Sequence, residues 1–153
     1  MPEAVAIPSL DASDAFQDAV LRECLASFPH VRLTVTGDCM SPDLASGETV
    51  LLAAAAQRRP RLGDVVLVRQ REGLRLHRLV WGPPLARAGA WRTQADRGRI
   101  WDPRVRAGDV LATVVAVERA GRLERVGGFD RGLRLLWRGL CAWARRGGRG
   151  GSG

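Results

Sequence analysis

The chain has 153 residues, enough for one domain with short appendages and a full hydrophobic core. It is 46% hydrophobic, which excludes a disordered tail, and its apolar runs, such as residues 50–56, fall far short of the roughly 20 residues of a membrane helix. The net charge of +8 rests on 24 arginines alone, and the absence of lysine, tyrosine and asparagine excludes a lysine base, a Schiff base, a tyrosine acid and an asparagine orienter. The first residues have neither a basic start nor an apolar centre, so they do not read as a secretory signal, and a cytoplasmic protein is expected. Cys24, Cys39 and Cys141 lie far apart and outside any C-x-x-C pair, which favours free thiols over a zinc site or a redox pair. No metal or cofactor is expected.

In chain order, residues 1–10 read as a loose leader with two prolines. Residues 11–28 read as a helix, capped by Asp11 or Ser13, with Phe16, Ala19, Val20, Leu25 and Phe28 at helical spacing and Pro29 as its stop. Together, residues 1–30 form the expected N-terminal appendage. His30, at the junction after Pro29, reads as a loop residue. From residue 31 to 128 the pattern changes to a mostly antiparallel β domain. Its expected strands are 31–36, 49–53, 64–69, 74–81, 91–94, 110–118 and 123–126, with 64–69 and 74–81 forming a hairpin about Glu72 and Gly73. Residues 129–146 read as a second helix, with Phe129, Leu133, Leu136, Trp137, Leu140 and Trp143 in one apolar stripe. From residue 129 onward there are six arginines and one acid, so this end carries +5 of the +8. Residues 147–153 form a glycine-rich tail. The fold class is therefore mainly β, with a helix at each end. Cys24 and Cys141 fall on the two helices and read as structural.

One segment has the makings of a chemical site: Gly37-Asp38-Cys39-Met40-Ser41-Pro42-Asp43-Leu44, then Gly47-Glu48-Thr49-Val50-Leu51. A strand ends at a glycine, a cysteine sits on the turn and a proline opens the next piece. Such a turn exposes a nucleophile and aims backbone N–H groups at a developing oxyanion. The plain alternative is a small buried cysteine at a strand end.

The wider pattern resembles a known family. G-x-C-M-x-P-x-L-x-x-G-E-x-V-L-L, then R-L-G-D-V-V-L-V-R, then L-H-R-L-V, is similar to the signal peptidase type I and LexA-like serine peptidases. Their pattern is G-x-S-M-x-P-x-L-x-x-G-D-x-V, then G-D-V/I-V, then a strand carrying the general base followed by arginine. The likeness spans residues 31–117. It implies a signal peptidase-like β fold with Cys39 in the place of the nucleophilic serine. His77 stands where bacterial members have lysine, and where the endoplasmic reticulum and archaeal branch has histidine. The resemblance further implies oxyanion donors at the Cys39 N–H and a neighbouring backbone group, within the stretch of Gly37, Asp38 and Met40, with Gly37 leaving room for the substrate carbonyl. Thr93-Gln94-Ala95-Asp96-Arg97 resembles the family's T-K-G-D-N motif, with alanine for its glycine and arginine for its asparagine. Asp96 is thus the first candidate to orient His77 and Asp102 the second. Cysteine in place of serine keeps the logic, because a thiol is the better nucleophile and histidine its usual partner. The expected chemistry is acyl transfer by a Cys39 thiolate and His77 imidazolium, on a peptide or protein precursor with small residues before the cut.

The family's export enzymes carry membrane anchors and its repressors an upstream DNA-binding domain, and neither is expected within residues 1–30. The basic, Trp-bearing helix 129–146 reads either as a binder of an anionic membrane surface or as packing for the β domain or a second copy. Nucleic-acid binding is disfavoured, since no aromatic residues interleave with the arginines in a recognition motif. Oligomeric state is left open. Besides a peptidase, the sequence admits an inactive peptide-binding module and a peripheral membrane adaptor.

Overall fold

The four apolar residues Val65, Val66, Leu67 and Val68 are all buried, which a strand achieves only when both of its faces are covered. In the computed structural model, which describes residues 4–7, 15–86, 90–126 and positions 134, 136–138, 140, 141 and 145, that strand lies inside the sheet. The elements are β1 (Ala4–Ile7), α1 (Ala15–Ser27), β2 (His30–Thr34), β3 (Thr49–Ala54), β4 (Val65–Gln70), β5 (Gly73–Trp81), β6 (Arg92–Gln94), β7 (Val110–Arg119) and β8 (Arg122–Glu124). They form one sheet in the order β1-β2-β3-β7-β4-β5-β6, with β8 paired to β7. Every pairing is antiparallel except β1 with β2. The fold is mainly β, as the sequence leads one to expect.

Strand alternation divides the side chains between two cores. Val65 and Leu67 join the larger, with Leu21 and Leu25 of α1, Val31 and Leu33 of β2, Val50 and Leu52 of β3, and Val114 and Val117 of β7. Val66 and Val68 face the smaller, with Leu79, Trp91, Val105 and Val110. The expected hairpin forms in the register Val66↔His77 and Arg69↔Leu74.

The N-terminal region departs from expectation. Residues 4–7 are not a loose leader but a strand, which runs parallel to β2 in the register Ala4↔His30 to Ile7↔Leu33. Parallel neighbours need a crossover, and α1 lies between them in the chain. His30, expected in a loop, is accordingly the first residue of β2. The helix begins by Ala15, and the cap candidates Asp11 and Ser13 lie outside the described residues. Its buried stripe runs through Leu21 and Leu25, whereas Phe16 is 72% and Val20 37% exposed. Residues 1–30 are therefore not a separate appendage: their described parts extend the sheet and fill the main core.

At the other end, positions 134, 136–138, 140, 141 and 145 are helical, within the expected 129–146. Leu136 is buried, while Trp137 and Leu140 of the expected stripe are exposed. Phe129, Leu133, Trp143 and the tail 147–153 lie outside the described residues.

One glycine fixes the exit from β5. A Cβ on Gly82 would sit 2.7 Å from Leu79 Cδ2 and 3.0 Å from its Cγ, and Leu79 is fully buried. Gly82→Ala is expected to destabilise the protein by about 1–3 kcal/mol. The measurement is a lower urea midpoint at an unchanged slope.

Candidate active site

The site lies where three segments meet: the turn after β2, the middle of β5 and the loop after β6. The turn begins at Gly37, whose φ of +79° is the left-handed conformation that favours glycine. Beyond its two chain neighbours, no described atom lies within 4 Å of the position its Cβ would occupy, so space remains open in front of it. Met40 and Leu44 are almost wholly buried and anchor the turn in the main core, and the Leu44 N–H donates to the Met40 carbonyl at 3.0 Å. Cys39, between these anchors, is half-buried. Its thiol donates to the Leu76 carbonyl at 3.8 Å, on the residue next to His77, and it is near enough to help raise the pKa of the His77 ring. Among the described residues, the backbone N–H groups of Cys39 and Met40 donate to no protein acceptor. Asp38 is exposed and forms an ion pair with Arg97.

His77 is buried on β5, and its Nδ1 lies 2.5 Å from Asp102 Oδ2. The Thr93 hydroxyl donates to the same Oδ2 at 2.6 Å. The Asp102 backbone is held as well: its N–H donates to the Thr93 carbonyl at 2.8 Å and its carbonyl accepts from Arg92 Nη1 at 3.0 Å. Burial pushes the Asp102 carboxyl up, but the hydrogen bonds from His77 and Thr93 outweigh it and hold the group below the ordinary carboxylate range. Burial pushes the His77 imidazole down, but its bonds to Asp102 and Cys39 prevail and raise its pKa to about 9. At neutral pH the geometry therefore favours an imidazolium, with a carboxylate on one nitrogen and the cysteine beside the ring.

Asp96, the first candidate to orient His77, is placed elsewhere. Its carboxylate is nearly buried and accepts two bonds from Arg78, at 2.7 Å from Nε and 2.7 Å from Nη2. The alternation of β5 explains the exchange: Arg78 is one residue beyond His77 and points to the opposite face, where the loop presents Asp96. The second candidate, Asp102, is the one in contact with His77.

Arg78 is absent from the sequence-derived set of site residues, yet it ties the site together. Fully buried, it also reaches Asp43 Oδ2 at 2.7 Å and the Gly63 carbonyl at 2.8 Å. It thereby joins the Cys39 turn, through Asp43, to the Asp102 loop, through Asp96. A second latch parallels it, since the Arg97 N–H donates to the Cys39 carbonyl at 3.0 Å. Thr93 is the other residue missed; its signal was its place at the head of the T-Q-A-D-R segment.

Beside Cys39 lies a cavity of about 170 Å³, lined on one side by residues 33–36 and on the other by residues 74–76, with Met40 and Leu67 at its base. β6 pairs with β5 only from Arg78 onward, so among the described residues no strand covers the edge of β5 from Gly73 to His77. An uncovered edge of this kind accepts an extended peptide as an added strand. No group of three or more potential metal ligands occurs among the described residues. No family model matches this chain, and neither a curated protein nor a solved structure does.

Proposed function

We propose that the chain is a peptidase of the signal peptidase type I and LexA-like kind, with cysteine in place of serine. The observation that carries the reading is the bonded pair His77–Asp102 with Cys39, which lines the neighbouring cavity, held against the Leu76 carbonyl next to His77 and beside a free strand edge. In this reading an extended peptide adds to β5, and Cys39 Sγ bonds to the scissile carbonyl carbon. The oxyanion is met by the N–H groups of Cys39 and Met40 above the open space at Gly37. His77 gives its proton to the leaving amine, which leaves a thioester on Cys39. Water then attacks that thioester with His77 taking its proton, and the acid product and the thiolate are released. Asp102 holds the ring and stabilises its charge throughout. The small cavity admits small side chains beside the scissile bond. The reading includes a cytoplasmic setting, supported by three free thiols, one of them the nucleophile. No helix among the described residues is long and apolar enough to cross a membrane.

The test is a peptide library made by digesting a bacterial proteome, with new termini identified by mass spectrometry. Wild-type protein is expected to create termini that follow small residues, and iodoacetamide on Cys39 to stop it. Absence of new termini, together with Cys39 labelling no faster than Cys24 or Cys141, would sink the peptidase reading in favour of a peptide-binding module.

A further inference from the structure

The C-terminal helix and the Asp102 loop share one surface. Arg99 of the loop lines a cavity of about 580 Å³ together with Trp137, Arg138, Cys141 and Arg145 of the helix. Around it the apolar side chains face outward: Ile100 is 64%, Trp137 69% and Leu140 44% exposed. Arg134, Arg138, Arg145 and Arg99 are exposed as well. Large apolar groups standing beside arginines, with an indole among them, match the boundary between lipid headgroups and acyl chains. The charge is complementary to an anionic surface, since the chain from residue 129 onward carries +5. We infer that this face docks on an anionic bilayer and that its footprint includes the loop 99–100 as well as the helix. The loop is a short step from the site: two residues before Arg99 the Arg97 N–H holds the Cys39 carbonyl, and three residues after it Asp102 holds His77. Docking thus brings the loop that carries Asp102 to the membrane surface. The inference stands on this surface alone, and Cys39→Ala is expected to bind vesicles as the wild type does.

Co-sedimentation of the full chain with vesicles tests it. The protein is expected to pellet with phosphatidylcholine vesicles only when phosphatidylglycerol is added, and to be released as salt rises. Arg138→Ala is expected to weaken that binding about fivefold, the usual effect of one arginine near the surface, and Arg99→Ala by about the same factor. Trp137→Ala is expected to weaken it about tenfold. The three side chains are exposed, so circular dichroism should show an unchanged fold. Failure to pellet with phosphatidylglycerol overturns the inference. Binding insensitive to Arg99→Ala and Trp137→Ala overturns it too. A DNA duplex retained with the same arginine dependence, in place of vesicles, would make this a nucleic-acid surface. A dimer that Trp137→Ala dissociates would make it a contact between two copies.

Discussion

Asp102→Asn is expected to lower kcat/KM for peptide cleavage by about 10³–10⁴ while leaving the fold in place. The replacement is nearly isosteric, and the Thr93 hydroxyl and the backbone bonds remain to hold the loop. What disappears is the negative charge 2.5 Å from His77 Nδ1. Without it, burial dominates the ring and its pKa falls from about 9. The pH profile separates this effect from simple damage to the structure. The leaving amine needs the imidazolium, so wild-type kcat/KM is expected to decline as pH rises through about 9, and the variant's decline to begin at lower pH. Stability should follow the same proton. A group whose pKa is raised in the folded state stabilises fully below its ordinary value, here 6.5, and loses that contribution as pH rises through about 9. Wild-type stability is therefore expected to fall across this window, and Asp102→Asn to lack that slope. A rate and pH profile like the wild type's would remove Asp102 from the mechanism, and with it the triad.

The strand positions and the candidates Cys39 and His77 were legible in the sequence because they depend on local patterns. Apolar runs and turn residues place β4 and β5, and the G-x-C-M-x-P and L-H-R-L-V blocks single out Cys39 and His77. What the sequence hid depends on pairing across the fold. Asp96 and Asp102 are both carboxylates on one loop, and composition does not separate them. The two faces of β5 do, since His77 and Arg78 point in opposite directions and each takes the acid presented on its own side. β1 was hidden for a similar reason. Residues 4–7 are four small or aliphatic residues between prolines, too few for a periodicity, and they become a strand through the edge that β2 offers them. The outward Phe16 and Trp137 show the converse limit. Helical spacing finds an apolar stripe but does not say which part of it meets the core.

Arg78→Met is expected to be the most destabilising single change outside the hydrophobic cores, at about 3–5 kcal/mol. Arg78 is fully buried and donates to Asp96, Asp43 and the Gly63 carbonyl. Methionine fills the volume of the stem but leaves the nearly buried Asp96 carboxylate without its cation, and that uncompensated charge accounts for the cost. At about 2–4 °C per kcal/mol for a chain of this size, the melting temperature should fall by about 6–20 °C. Arg78→Lys is the sharper test. It keeps the charge but not the planar fork that serves two carboxylates and a carbonyl at once, so an intermediate loss is expected. Adding Asp96→Leu to Arg78→Met should recover part of the stability, because the orphaned charge goes with it. It should not recover activity. The link from the Cys39 turn through Asp43 and Arg78 to the Asp102 loop would still be cut, and acyl transfer depends on how those two segments face each other. Recovery of stability and activity together would mean that Arg78 and Asp96 serve the core alone, and that the Arg97 bond to the Cys39 carbonyl suffices to align the site.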